Sequence, residues 1–139
     1  MSNRRIKSIE AVASMIELTQ DGQMLWKEKN PDDLPISRKG PFEYVDSVFE
    51  TEYHDKKLRI YKRNYRIDHP EPRQFWPFLM GRKEAKANGW ESEVTLEIVG
   101  ESGWALWTFP NVNPLSDLLS SIQSQVAGVK DFFDKILAR

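Results

Sequence analysis

The chain contains no cysteine, only two histidines and almost no net charge. Without thiols it has no disulfide, no cysteine nucleophile and no cysteine-ligated zinc site. Lys and Arg total 20 and Asp and Glu total 21, so any affinity for nucleic acid or an anionic membrane must come from a local patch. No apolar run approaches the ~18 residues that span a bilayer, and no apolar signal core follows the first residues. We therefore expect a cytoplasmic protein that does not enter a membrane.

The chain does contain enough apolar material for one domain. It has 139 residues, of which 40% are hydrophobic and 29% charged, as in ordinary globular proteins. Apolar residues at helical spacing predict a first helix from about Arg4 to Gln20. The pair Asn113-Pro114 predicts the cap and first turn of a last helix that extends to about Ala138. Gly128 is the point where this helix can bend or break.

Two stretches of alternating apolar and polar residues predict β-hairpins. One runs from Tyr44 to Ile67 and turns at residues 54–57, which would oppose Glu52 to Arg59. A bulge is expected away from that turn, because the apolar residues change faces there. The other hairpin turns at residues 100–103, which would bury six side chains together on one face: Val94, Leu96, Ile98, Ala105, Trp107 and Phe109.

These elements predict a single α+β domain over residues 1–139. It has an N-terminal helix, an antiparallel sheet of about four strands from two hairpins, and a long C-terminal helix, with an irregular insertion at about residues 68–90. The last helix has a heptad seam that fits either the sheet or a second copy of the chain. The seam residues are Leu115, Leu119, Ile122, Val126, Val129, Phe133 and Ile136.

The order of these elements resembles known small domains. The first helix leads into Leu18-Thr19-Gln20-Asp21-Gly22-Gln23-Met24-Leu25-Trp26, two hairpins follow, and the chain ends in Leu115-Ser116-Asp117-Leu118-Leu119 and Val126-Ala127-Gly128-Val129-Lys130-Asp131-Phe132. In these features it is similar to small uncharacterised bacterial helix–β-meander–helix domains. The resemblance implies a fold and no activity. In topology the chain also resembles Whirly-type single-stranded-DNA binders, which have four-stranded sheets followed by a helix.

No pattern in the chain predicts catalysis. His54, in a turn, and His69, before a proline, lie in no spacing typical of a metal site. Ser102 lies in a hairpin loop, without the strand–turn–helix context of a nucleophile elbow. We therefore expect a non-enzymatic protein with no metal and no cofactor.

A basic strand leaves one alternative function open. Cationic and tyrosine side chains alternate along it, at Lys57, Arg59, Tyr61, Arg63 and Tyr65. Sheets hold single-stranded nucleic acid in this way, because cations follow phosphates and rings stack on bases. The acidic neighbouring strand favours instead an exposed surface of ion pairs with little net potential. Single-stranded nucleic-acid binding is therefore the alternative and not the favoured function.

An aromatic cluster suggests a protein contact. Its members are Phe75, Trp76, Phe78, Leu79 and Met80, which either cover the core or bind a partner. Two helices, this cluster and a tyrosine-bearing sheet face supply more apolar surface than one domain hides. We therefore expect a small interaction module that forms a homo-oligomer, most simply a two-fold dimer, and that also has an unknown protein partner.

Overall fold

The computed structural model describes residues 2–36, 43–66 and 89–138. In chain order the elements are α1 (Ser2–Gln20), β1 (Lys27–Lys29), a 3-10 helix (Pro31–Asp33), β2 (Glu43–Tyr53), β3 (Lys56–Arg66), β4 (Trp90–Val99), β5 (Ala105–Thr108), α2 (Pro114–Ala127) and α3 (Val129–Ala138). The strands form one sheet in the order β1-β2-β3-β4-β5, and every neighbouring pair is antiparallel. The predicted α+β class is confirmed, with five strands in place of about four.

The additional strand is β1, which pairs with β2 at one edge of the sheet. Its residues Lys27, Glu28 and Lys29 are all exposed. A strand with charged side chains on both faces has no period-two pattern, so alternation could not predict it. Charged residues are common on edge strands, where they discourage pairing with other chains.

The β2–β3 hairpin has a tighter turn than predicted. His54 and Asp55 alone form it, with φ values of 52° and 66°, and positive φ at both positions matches the right-handed twist of the strands. As a result Arg59 faces Glu50 rather than Glu52. The error of two residues leaves the side chains between the turn and the bulge on their predicted faces. The predicted bulge is confirmed: the register shifts between Asp46 and Phe49, where Ser47 has a φ of 55°.

The predicted register of the β4–β5 hairpin is wrong. A bulge between Ile98 and Val99 places Trp107 opposite Ile98 rather than Leu96. Of the six side chains expected to be buried, Leu96 is fully buried, Val94, Ile98 and Phe109 are half-buried, and Ala105 and Trp107 are exposed. There are two physical reasons. The bulge turns Ala105 to the opposite face of the sheet, and Trp107 lies on β5, the outer strand, where its side chain has neighbours on one side only.

The main core lies between one face of the sheet and the two helices α1 and α2. Val12 of α1 and Ile122 of α2 are fully buried in it. The sheet contributes Phe49, Leu58, Ile60 and Leu96. Removing a side chain such as Ile122 from this core costs about 2–5 kcal/mol. Both helices therefore cover the same face of the sheet and leave the opposite face to other residues.

A glutamine joins the helices to the start of the sheet. The side chain of Gln125 in α2 accepts a hydrogen bond from the backbone N–H of Trp26 and donates to the carbonyl oxygens of Thr19 and Met24, all at 2.9 Å. The indole of Trp26 is buried and donates to the Thr19 hydroxyl at 3.0 Å. These bonds satisfy backbone groups where α1 ends and fasten the following turn to α2.

The predicted last helix is two helices. Gly128 adopts a left-handed conformation, with a φ of 70°, and ends α2. Asn113 does not cap α2, because it is itself helical and makes no side-chain capping bond. The seam residues Leu115, Leu119 and Ile122 are buried on the N-terminal side of the break, whereas none of the ten residues of α3 is buried. Within the described ranges no helix has both the length and the apolar character that crossing a membrane requires.

Candidate functional site

The face of the sheet opposite the helices carries a buried network of charged side chains. Glu50 of β2, Arg59 of β3 and Glu97 of β4 occupy one row, because the strand register aligns them directly. Tyr61 and Arg63 lie further along the same face of β3. Arg59 is fully buried, and Glu97 and Glu50 are only 4% and 7% exposed. Burial at this level is rare for charged residues unless they are paired.

Every nitrogen of the Arg59 guanidinium donates a hydrogen bond within the protein. Its Nε donates to Oε2 of Glu97 at 2.9 Å, and its Nη1 donates to Oε2 of Glu50 at 3.3 Å. Its Nη2 donates to the carbonyl oxygen of Gly103 at 3.0 Å, in the loop that joins β4 to β5. The two carboxylates and the carbonyl oxygen offset part of the free-energy cost of burying the guanidinium charge. Arg59 therefore holds three strands and one loop together.

A tyrosine connects this centre to a second ion pair. The hydroxyl of Tyr61 donates to Oε1 of Glu97 at 3.3 Å and accepts from Nη2 of Arg63 at 3.0 Å. Nη1 of Arg63 is paired with Oε2 of Glu43 at the start of β2. The guanidinium of Arg63 also lies 5.5 Å from the centre of the Tyr61 ring. One continuous set of hydrogen bonds thus runs from Glu43 to Glu50.

Burial determines the protonation of the Tyr61 hydroxyl. Desolvation raises the pKa of Tyr61 and the nearby carboxylate of Glu97 raises it further, while Arg63 lowers it in part. Burial alone would lower the pKa of Arg63, but Tyr61 and Glu43 raise it above its ordinary value. Tyr61 is therefore a neutral donor and Arg63 a cation at every physiological pH.

A pocket of about 270 Å³ opens above this network. The loop after the 3-10 helix forms one wall, with Pro35 and Ile36, and the start of β5 forms the other, with Trp104 and Ala105. Its remaining lining is the polar sheet face: Arg59, Tyr61, Arg63, Glu93, Thr95, Glu97 and Thr108. Ile36 also packs with Val45, Val48 and Tyr61 in a second, smaller apolar cluster. The site is consequently a walled pocket on the face that was expected to be exposed.

The basic residues singled out in the sequence do not form an open surface. Arg59, Tyr61 and Arg63 are buried in the network, whereas Tyr65 is half-buried and the Lys57 side chain is 44% exposed, with its Nζ 3.9 Å from Oε1 of Glu50. The expectation of a solvent-exposed face of ion pairs is wrong, because residues 34–36 and the β4–β5 loop lie over it. Asp46 is also not part of this face, since the bulge turns it towards Asn64.

Sequence reasoning did not find Glu97, Glu43 or Gly103 as parts of the site. Glu97 had a visible signal, because it lies on the polar face of its strand and carries a charge opposite to that of the basic strand. Gly103 acts through its carbonyl oxygen, for which no side-chain pattern exists. The partner-binding cluster predicted at Phe75, Trp76, Phe78, Leu79 and Met80 lies outside the described residues.

The described residues also present apolar side chains to solvent. The largest set is on α3, where Phe132, Phe133, Ile136 and Leu137 are 58%, 54%, 44% and 81% exposed. The outer strand β5 adds Leu106 and Trp107, which are 72% and 37% exposed. Among the described residues no group of three or more histidine or acidic side chains is placed to bind a metal ion. His54 is exposed in its turn, with its ring against Tyr53 at 4.4 Å.

Comparison with known proteins gives no relative for this chain. No family model, no curated protein and no solved structure matches it. The protein's function must therefore be inferred from the chemistry of two surfaces, the walled pocket and the apolar face of α3.

Proposed function

We propose that the protein is a non-enzymatic interaction module of the cytoplasm that forms a two-fold dimer through the apolar face of α3. The observation that carries this proposal is that α3 contains no buried residue although half of its ten residues are large and apolar. Soluble monomers rarely leave such a contiguous apolar surface in contact with water.

The apolar side chains of α3 form one stripe. At 100° per residue, Phe132, Ile136, Val129, Phe133 and Leu137 fall within an arc of about 140°, and the four charged residues lie outside it. The rings of Phe132 and Phe133 are 6.0 Å apart near the middle of the stripe. A helix this short gains most of its stability when its apolar stripe packs against another surface, so the stripe favours a partner.

The charges of α3 favour a second copy over a membrane surface. The helix carries two lysines and two aspartates, so its net charge is zero. Helices that lie on anionic lipid are rich in cations on their polar face, and α3 lacks that excess. Its ion pairs, Lys130 with Asp134 at 3.7 Å and Lys135 with Asp131 at 3.4 Å, instead place both signs along the helix.

In a two-fold antiparallel arrangement, the apolar residues of one α3 stripe lie opposite the apolar residues of the other. If two copies of α3 cross between Phe132 and Phe133, those rings meet at the centre, and Val129 of one copy lies opposite Ile136 of the other. The same crossing brings Lys130 beside Asp134 of the second copy, since both lie on one flank of the stripe. Opposite charges that flank an apolar seam select this orientation.

The contact is small, so the dimer is expected to be weak. A helix of ten residues is about 15 Å long, and two of them crossing bury less than the ~1,200 Å² of a standard interface. Val126, at the end of α2, is also exposed, at 39%. We expect dissociation in the micromolar range.

The burial of the basic residues counts against the nucleic-acid alternative. Phosphates need reachable cations, and Arg59 and Arg63 are each bonded to carboxylates beneath the walls of the pocket. The β2–β3 turn offers only Lys56 and Lys57 as exposed cations. Titration of a labelled single strand at low salt should give no micromolar binding.

The dimer is tested by size-exclusion chromatography with light scattering over a range of protein concentrations. The wild type should change from monomer to dimer mass as its concentration rises to tens of micromolar. Phe133→Asp should stay monomeric and folded, because Phe133 is 54% exposed and does not support the core. Circular dichroism and a thermal melt verify its fold.

Two matched variants locate the contact. Leu106→Asp places the same charge on the exposed face of β5, and Trp76→Asp places it in the aromatic cluster; both should still dimerise. A wild type that is monomeric at every concentration contradicts self-association. A folded monomer from Leu106→Asp or Trp76→Asp, with Phe133→Asp still dimeric, contradicts the assignment to α3.

A further inference from the structure

The walled pocket above the charged network is a second candidate binding site, separate from α3. Its volume of about 270 Å³ lies just below the range of sites for drug-sized ligands, so it suits a small molecule. Its walls belong to different parts of the chain: the loop at Pro35 and Ile36, the strands β3 and β4, and the start of β5. Such a concave site with convergent polar groups is where a ligand is expected.

The arginines in the pocket floor have little to offer an anion. Arg59 directs its three nitrogens at Glu97, Glu50 and Gly103. Arg63 is bonded to Glu43 and to the hydroxyl of Tyr61. An anionic ligand would have to displace carboxylates that are themselves buried. Each displaced carboxylate would then be a buried charge without its ion-pair partner, which is costly.

The carboxylates of the network exceed its arginines by one. The network contains Glu43, Glu50 and Glu97 against Arg59 and Arg63, and Lys57 at its edge balances the third carboxylate. Glu93 is the fourth carboxylate. It lies opposite Arg63 in the register and lines the pocket, yet among the described residues it makes no ion pair or hydrogen bond. Among the residues that the structure describes, the uncompensated charge in the pocket is therefore negative and belongs to Glu93.

The rim of the pocket adds an aromatic surface. Trp104 lines the pocket and is 51% exposed, so its indole ring is available to a ligand. Tryptophan is the side chain that attracts a cation most strongly through its ring face. Pro35, Ile36 and Ala105 beside it supply apolar contact for the body of the ligand.

We infer that this pocket binds a small organic monocation, with an ammonium or guanidinium group paired to Glu93 and an apolar body against Trp104 and Pro35. The hydroxyls of Thr95 and Thr108, which also line the pocket, can accept further hydrogen bonds from the cationic group. Recognition of this kind combines a charge-assisted hydrogen bond with a cation–π contact. The inference is independent of the dimer, because none of the lining residues belongs to α3.

The test uses phenethylammonium as the probe in isothermal titration calorimetry at low salt. The carboxylate analogue 3-phenylpropionate has a similar size and the opposite charge. Phenethylammonium should bind, and 3-phenylpropionate should bind at least about tenfold more weakly. Chemical-shift changes in a heteronuclear NMR titration should be confined to residues around Glu93 and Trp104.

Three variants test the assigned roles. Glu93→Gln keeps the shape of the side chain and removes its charge, so it should weaken the binding of phenethylammonium by about tenfold or more. Trp104→Leu should weaken it by a smaller factor. Glu101→Gln removes an exposed carboxylate in the neighbouring loop that does not line the pocket, and should change nothing.

Each of three results would overturn the inference. These are the absence of phenethylammonium binding to the folded wild type, equal or tighter binding of 3-phenylpropionate, and unchanged phenethylammonium affinity in Glu93→Gln. Thermal melts of all variants verify that the fold is intact, which is expected because Glu93 and Trp104 are not fully buried.

Discussion

The side chain of Arg59 donates a hydrogen bond to the carbonyl oxygen of Gly103, a residue 44 positions later in the chain, at 3.0 Å. This bond ties the β4–β5 loop to the centre of the sheet. The same loop approaches the opposite wall of the pocket, because a Cβ atom placed on Gly103 would lie 3.0 Å from Cγ of Pro35. The charged network and the pocket walls are thus parts of one structural unit.

Replacing Arg59 should destabilise the protein strongly. Arg59→Met leaves the buried Glu97 without its cation and Glu50 with only the exposed Lys57, which costs about 3–5 kcal/mol of unfolding free energy. Lys57→Met is the matched control, since Lys57 contacts the same Glu50 from an exposed position and its loss costs about 0–1 kcal/mol. Urea denaturation of both variants measures the difference. Equal losses would mean that Arg59 contributes no more than a surface pair.

A second prediction concerns the close approach of Gly103 to Pro35. Gly103 has a φ of 94° and Gly22 a φ of 79°, so an alanine at either position has a backbone cost of about 1–3 kcal/mol. Only at Gly103 does the new Cβ also meet another residue, whereas nothing lies within 4 Å at Gly22. Gly103→Ala should therefore lose about 1 kcal/mol more than Gly22→Ala in urea denaturation.

A double variant separates the two causes at Gly103. In a Pro35→Ala background the contact with Cγ is gone, so the loss from Gly103→Ala should fall to that of Gly22→Ala. A loss that stays the same with and without Pro35 would assign the whole effect to the backbone conformation.

Most elements of the fold could be predicted, β1 excepted, while the contents of the pocket could not. Alternation placed Arg59 and Tyr61 on one face and Leu58 and Ile60 on the other, and a register error of two residues left those faces unchanged. The alternation of polar and apolar residues does not indicate whether a charged face of a sheet is solvent-exposed or buried. That depends on residues 34–36 and on Gly103, which meet this face only through the tertiary structure.

The predicted burial of Trp107 is wrong for the same reason, because burial depends on the tertiary structure. Its position in an apolar alternation predicts burial, and on a central strand it would be buried. On β5, the edge of the sheet, its ring packs against Phe109 at 4.8 Å and remains 37% exposed. Strand order is a property of the whole sheet, and the sequence of one hairpin does not contain it. The break at Gly128, by contrast, could be predicted from the sequence, because it depends only on the local conformation of a glycine, which ends α2.

Stability should fall at alkaline pH through Tyr61. Its pKa is raised above the ordinary value of 10.0, by burial first and by Glu97 second. The folded protein holds the proton of the Tyr61 hydroxyl more tightly than the unfolded chain does. The resulting contribution to the free energy of unfolding is complete below pH 10 and is lost as pH rises through the raised pKa. Unfolding free energies measured from neutral pH to about pH 11 should decline in the wild type.

Tyr61→Phe should remove part of that alkaline slope. Its absolute stability will also fall, since Glu97 and Arg63 each lose a hydrogen bond, so the slope against pH is the quantity to compare. Tyr44→Phe, at a ring that is 50% exposed, is the control and should keep the wild-type slope. A slope that is the same in all three proteins would contradict the assignment to Tyr61.

The proposed antiparallel contact of α3 predicts a specific pattern of charge reversal. Lys130→Asp leaves an aspartate at both flank positions of the stripe, 130 and 134, and Asp134→Lys leaves a lysine at both. Each variant alone should dimerise about tenfold more weakly than the wild type, because the two-fold axis repeats the repulsion. Lys56→Asp makes the same charge change in the β2–β3 turn, and its dimer should dissociate like that of the wild type.

Mixing the two variants distinguishes contact between copies from the ion pair within one helix. In the mixture the chain with two flank aspartates faces the chain with two flank lysines, so the intermolecular pairs are restored while the pairs within each helix remain repulsive. We expect sedimentation velocity of the equimolar mixture to show a heterodimer tighter than either homodimer. If the mixture is as weak as its components, the charges act only within their own helix. The antiparallel crossing between Phe132 and Phe133 would then be wrong, even if Phe133→Asp is monomeric.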